Sequence, residues 1–199
     1  MLGEWPGETK PSDYITLSDV AIRFENNNGE KFIFIIEIKF TENEFNPCNG
    51  YTSKGRRRFI DKFDCENFHS IVDDNNKCYL HKSYGSRSAR EYFNYIKLKE
   101  DLKEDIISEQ KECPFIDNHQ CLRNHALARA TKQKEIFKRA FFVLVYHDGN
   151  EKYILNEWKN YRSLFKNCDD LFSIKASEIV RKYNNDTYQL YFEERYGLK

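Results

Sequence analysis

The hydrophobic pattern of this chain changes period along its length. Val20, Ile22 and Phe24 alternate with Asp19, Ala21 and Arg23. From Phe32 to Phe40, Ile33, Ile35, Glu37 and Lys39 share one face, with Phe32, Phe34, Ile36, Ile38 and Phe40 on the other. A period of two predicts two strands. Glu25-Asn26-Asn27-Asn28-Gly29-Glu30 between them is a strong turn signal, which makes the pair a hairpin. Leu122, Ala126, Leu127, Ala130, Phe137 and Ala140 then form the apolar side of a helix from Asn118 to about Lys138, with Asp117 or Asn118 as its cap.

Ala140 to Tyr146 reads as a short buried strand, closed by His147-Asp148-Gly149-Asn150. Asn156–Phe165 is expected to be helical, Phe172–Lys175 an edge strand, Ala176–Tyr183 a helix, and Leu190–Tyr196 a terminal helical turn or two. Residues 1–16 are rich in Pro and Gly. From 41 to about 115 the text is polar and irregular, with short helices expected at Phe59–Phe68 and Ser88–Tyr95 and helical spacing across Ile96–Ile107. Hairpin, helix, strand and helices in this order give an α/β fold, a mixed central sheet flanked by helices. The expected organisation is one domain over residues 1–199, with an insertion of unassigned structure at about 46–112.

Two charges interrupt the apolar second strand. Glu37 and Lys39 lie near its end, and buried charge is costly unless paired or bound to a metal. The loop decides what they can do. If it is Asn27-Asn28-Gly29 with Gly29 left-handed at a bulge, Asp19 faces Glu37 at roughly 4.5–5.5 Å between Cβ atoms, and one cation can bridge them. A two-residue Asn28-Gly29 turn instead opposes Asp19 to Ile38 and separates the carboxylates across the sheet. Two carboxylates sharing a divalent cation beside an ammonium are equipped to hydrolyse a phosphodiester. The metal reading therefore requires the longer loop.

Composition narrows the setting only a little. The 199 residues are 40% hydrophobic, and 16 Phe and 13 Tyr make rings the main packing units. The 32 basic and 32 acidic side chains cancel, so any nucleic-acid contact must come from a local patch. No apolar run approaches the roughly 20 residues of a membrane span, and the first residues carry no signal-peptide core. Six cysteines in such a chain are expected to be cytoplasmic thiols rather than a disulfide frame.

Asp19 followed by Glu37-Ile38-Lys39 resembles the active-site core of the PD-(D/E)XK nucleases. The longer text Ile36-Glu37-Ile38-Lys39-Phe40-Thr41-Glu42 is similar to a bacterial, restriction-endonuclease-like branch of that superfamily. So are the helix start Gln120-Cys121-Leu122-Arg123-Asn124-His125 and the ending Leu190 to Gly197. The resemblance covers about residues 4–45 and 115–197. It implies a restriction-endonuclease-like mixed sheet and a Mg²⁺- or Mn²⁺-dependent nuclease acting on DNA, and it leaves a homo-oligomer open.

By the same resemblance, Asp19, Glu37 and the Ile38 carbonyl are metal ligands. Lys39 orients or deprotonates the attacking water, and Gln120 completes the catalytic set. Arg123 reaches a phosphate. The superfamily also implies a helix ahead of the first catalytic strand bearing another acid, and Glu4 is the residue available for it. Lys54, Arg56, Arg57 and Arg58, with Lys62 and Phe59, are candidates to grip backbone phosphates, or are a solvated loop.

Alternatives stand beside each assignment. Lys39 can be the solvated partner of Glu37 or Glu42, Gln120 and Arg123 can be a helix-start amide and a surface cation, and His125 can be a packed histidine. Cys65-x3-His69 with Cys78-x2-His81 loosely suggests a zinc site, and Cys113-x5-His119-x-Cys121 a poorer one. The rival functions are a non-cleaving member that binds nucleic acid or protein, and a zinc-stabilised interaction module over residues 65–81.

Overall fold

The computed structural model describes residues 18–52, 64–81, 90–133, 137–183 and 186–198. Four strands, β1 (Val20–Glu25), β2 (Lys31–Lys39), β3 (Arg139–Tyr146) and β4 (Leu171–Lys175), form one sheet in that spatial order. β1 and β2 are antiparallel, whereas β2–β3 and β3–β4 are parallel. The sheet is therefore mixed, as the hydrophobic pattern predicts. No helix among the described residues is long and apolar enough to cross a membrane.

The hairpin takes the three-residue loop. Val20 pairs with Ile36 and Glu25 with Lys31, a register that continues to Asn26 opposite Glu30 and Asp19 opposite Glu37. Gly29 has φ 75°, the left-handed region that costs a residue with a Cβ about 1–2 kcal/mol. Asn26 organises the turn: its Oδ1 accepts the backbone N–H groups of Asn28 and Glu30, each at 3.0 Å.

Both faces of the sheet are covered in part. Beneath it lies the main core, which includes Ile33, Ile35, Phe142, Leu144 and Trp158. Burying a side chain such as Ile33 or Ile35 stabilises by roughly 1.5–3 kcal/mol. Nine helices cross the described residues: α1 (Asn49–Thr52), α2 (Phe68–Asp73), α3 (Tyr92–Tyr95), α4 (Leu98–Asp101), α5 (Glu104–Glu109), α6 (His119–Gln133), α7 (Glu151–Ser163), α8 (Ala176–Lys182) and α9 (Asp186–Tyr196). α6 is buried almost all round, between the sheet on one side and α3 on the other. On the opposite face a smaller cluster of Val145, Ala176, Val180 and Leu198 joins α8 and the chain end to Ile36, Ile38 and Phe40.

Several boundaries differ from the sequence expectation. α6 is described to Gln133 and does not run to Lys138: the Lys138 N–H donates to the Lys31 carbonyl and begins the β3 ladder. Phe137 and Ala140 are buried, but beyond the helix. α7 starts at Glu151 rather than Asn156, because the short turn Asp148–Asn150 leads directly into it. α9 begins at Asp186, earlier than Leu190.

The helical spacing of Ile96–Ile107 breaks into α4 and α5. Leu102 bridges to Phe165 and the Lys103 N–H donates to the Leu164 carbonyl, so tertiary contacts take the backbone that a continuous helix would use. Of the expected Phe59–Phe68 helix only its last residue is helical among the described positions, at the start of α2, which the Asn67 side chain caps. Phe45, Phe68, Ile71, Phe93, Ile96 and Phe115 all belong to the main core. The insertion is part of the packing.

Candidate active site

Asp19, Glu37, Lys39 and Gln120 come together at one end of β2 and the start of α6. β2 turns Glu37 to α6 together with Ile33 and Ile35, and Asp19, one residue before β1, sets its carboxylate at the β2 edge beside Glu37. β1 stops at Val20 because the Asp19 carboxylate accepts the Ile38 N–H at 2.7 Å in place of a backbone carbonyl. A strand residue turns its N–H and C=O to the same edge, so the Ile38 carbonyl faces the side on which Asp19 lies.

Exposure divides the set. Asp19 is exposed, whereas Glu37 and Lys39 are 3% and 2% exposed. Both Glu37 oxygens are engaged: Gln120 Nε2 donates to Oε1, and Asn124 Nδ2 donates to Oε2 at 2.7 Å. Lys39 Nζ stands 3.6 Å from Glu37 Oε1 and 3.9 Å from Glu42 Oε1, with the Phe45 ring beneath it at 5.7 Å. Lys39 thus meets both suggested partners from the interior, not as a solvated strand end. Burial pushes the Glu37 carboxyl above the ordinary carboxylate range, and the charge of Asp19 pushes it further. Lys39, Asn124 and Arg123 act in the opposite sense.

Gln120 is a positioning group. Its Oε1 accepts the Asn46 N–H at 3.1 Å and its own backbone N–H donates to the Asn46 carbonyl at 3.2 Å. This docking also supplies a partner for an N–H in the first turn of α6. Asn118 does not cap the helix with its side chain: its Oδ1 is buried with no hydrogen-bond partner among the described residues. Asn124, one turn beyond Gln120, was not singled out by sequence reasoning. The available signal was the four-residue spacing, which places both amides on one helix face.

His125 does not join this set. Its ring nitrogens meet Tyr161 Oη at 2.9 Å and Asp170 Oδ2 at 3.1 Å, inside the core. Arg123 is half-buried within electrostatic reach of Glu37. Glu4, Lys54, Arg56, Arg57 and Arg58 lie outside the described residues. An open cleft of about 700 Å³ lies elsewhere, lined by Asp101, Arg129, Arg139 and Asp170 and by neither Glu37 nor Lys39.

The donor set fits a hard divalent cation. It offers two neighbouring carboxylates and a main-chain carbonyl, all oxygen. A carboxylate presents about four lone-pair directions, so the two amide bonds leave Glu37 capacity for an ion. Among the described residues no group of three or more His, Cys, Asp or Glu side chains is placed to hold a metal ion. The zinc pairs suggested by sequence separate accordingly: His69 is exposed, and Cys121 is buried beside Glu37 and Lys39.

No curated protein and no solved structure matches the chain. A family model described as Restriction Endonuclease associating with ARP matches residues 8–197, nearly the whole chain, and the chain belongs to that family.

Proposed function

We propose that the protein is a divalent-metal-dependent nuclease of the PD-(D/E)XK type that hydrolyses phosphodiester bonds in DNA. The observation that supports this reading is the neighbourhood of Glu37, with Asp19 on the adjoining Ile38 N–H and the Lys39 ammonium 3.6 Å from a Glu37 oxygen. Family membership supports the nuclease class. Asp19, Glu37 and the Ile38 carbonyl would hold Mg²⁺ or Mn²⁺, which supplies Lewis acidity toward the phosphate and lowers the pKa of water.

The side chains of the protein do the rest. Asp19, exposed, is the ligand that meets solvent and substrate first. Glu37 is held in one rotamer by the Gln120 and Asn124 amides, so its oxygen does not have to be reoriented as charge develops. Lys39, fixed between Glu37, Glu42 and Phe45, offers a cation to the charge that builds on the phosphate and a proton-transfer group to the attacking water. Arg123 adds positive charge on the same side.

The test is nicking of supercoiled plasmid in Mg²⁺. Asp19→Asn, Glu37→Gln and Lys39→Met should each lower the rate by about 10²–10⁴-fold, the scale of a lost acid–base group. Full activity in any one of the three would defeat the assignment. A second reading, a non-cleaving member that binds nucleic acid or protein, draws on the near-complete burial of Glu37 and Lys39. DNA binding without nicking by the wild-type chain would select it.

A further inference from the structure

β1 is an edge strand, with β2 on one side and, among the described residues, no strand on the other. The ladder fixes which amides it shows outward. The Asn26 N–H donates to the Glu30 carbonyl at 3.0 Å, so the even-numbered residues of β1 turn N–H and C=O to β2. Ala21, Arg23 and Glu25 turn theirs away from it. No hydrogen bond among the described residues takes up these outward groups, and five of the six β1 residues are exposed. An edge left open in this way is a template for another strand.

The two faces of β1 differ. Ile22 and Phe24, 48% and 42% exposed, share the outer face with Phe32 and Phe34. Phe24 stacks on Phe32 at 4.7 Å and on Phe34 at 5.4 Å between ring centroids, and the row continues through Phe141 to Phe172. It ends at the open edge on a ring half in water. On the other face stand Arg23 and Glu25, both exposed and without an ion pair among the described residues. Charges of one sign on an edge repel a second copy. A cation and an anion two residues apart instead complement a copy of themselves run antiparallel.

We propose that β1 is the surface through which two copies of the chain join edge to edge, antiparallel about a twofold axis at Phe24. In this register Arg23 lies opposite the partner's Glu25 and Glu25 opposite the partner's Arg23. Both are pairs of outward-facing residues, so each exchanges its backbone N–H and C=O groups as a hydrogen-bonded pair. Phe24 meets the partner's Phe24 at the closer, non-hydrogen-bonded position, about 4.5 Å between Cα atoms, and the two ring rows become continuous. Charge disfavours the neighbouring registers. An axis at Arg23 opposes two arginines, one at Glu25 opposes two glutamates, and one at Ile22 sets Asp19 against the partner's Glu25. An axis at Ala21 needs Asp19 for the partner's Arg23, and the Asp19 carboxylate is already held on the Ile38 N–H. The joined edge is short, so the dissociation constant is on the order of 1–100 µM.

The experiment is sedimentation velocity of the full chain over a concentration series that brackets this range. A monomer–dimer equilibrium is expected. Arg23→Glu and Glu25→Arg should each weaken it by about 10-fold or more, and the two substitutions together should restore it. A second measurement does not depend on how well these variants fold. Phe24→Cys should give a disulfide-linked dimer on mild oxidation, above the wild-type background, because the axis sets the two sulfurs face to face. Ile22→Cys, displaced from its copy along the joined strands, should not. A wild-type chain that stays monomeric throughout the series would overturn the proposal. So would a dimer indifferent to both charge reversals, a double variant no tighter than its single parents, or cross-linking through Ile22→Cys in place of Phe24→Cys. Asp19→Asn and Glu37→Gln should dimerise as the wild type does, so the outcome is read independently of the nuclease assignment.

Discussion

Glu37 is the residue on which the proposed chemistry turns. It is a buried acid supported by two amides and one ammonium, with Asp19 close enough to raise its proton affinity. Gln120 and Asn124 both donate to it and in this reading act through it. Gln120→Leu and Asn124→Leu should therefore raise the Mg²⁺ concentration for half-maximal cleavage and lower activity by about 10–100-fold, the range seen when outer-sphere partners of a metal ligand are removed. An unchanged Mg²⁺ dependence in a metal titration of both variants would show that the amides only pack. The acid and the acid-x-lysine strand were legible because a charge inside a period-two apolar strand stands out, and Gln120 through the family resemblance of its helix start. Asn124 was not, because an amide on a helix buried all round leaves no mark in periodicity.

At the scale of elements, the hairpin loop determines the site. Three residues rather than two set the register that, carried one position past Val20, opposes Asp19 to Glu37, and the loop length follows from Asn26 and Gly29. Gly29→Ala should cost about 1–2 kcal/mol through left-handed strain. Asn26→Ala should cost about as much, by leaving two backbone amides without their acceptor. Urea unfolding at constant m-value measures both, and no shift in midpoint for either would mean that the register is set elsewhere. This element could be read in advance because turn chemistry is local. The end of α6 and the split of 96–107 into α4 and α5 could not. Each depends on contacts with distant residues, such as Lys138 on Lys31 and Lys103 on Leu164.

Across the whole molecule, pH stability depends on histidines held neutral away from the proposed chemistry. Burial lowers His125, against the pull of Asp170, and burial with Arg123 and Arg90 lowers His119 to about 4. A depressed histidine leaves the unfolded chain holding more protons between its two pKa values, so stability is present above about 6.5 and lost as the pH falls. For His119 alone this amounts to about 3 kcal/mol at most. Asp170, lowered despite burial by His125 and Arg129, loses its own contribution only below the ordinary carboxylate range. The thermal midpoint should be flat above pH 7 and fall between about pH 6.5 and 4, whereas His125→Phe and His119→Phe should flatten that fall. A midpoint independent of pH across this range would contradict the burial of both rings.

The most direct measurement is anomalous diffraction from crystals soaked in Mn²⁺, collected to separate manganese from other scatterers. A manganese peak is expected between the carboxylates of Asp19 and Glu37, within bonding distance of the Ile38 carbonyl, and should disappear in Asp19→Ala. Saturating Mn²⁺ with no peak there, or a peak that survives the loss of Asp19, would contradict the proposed metal site.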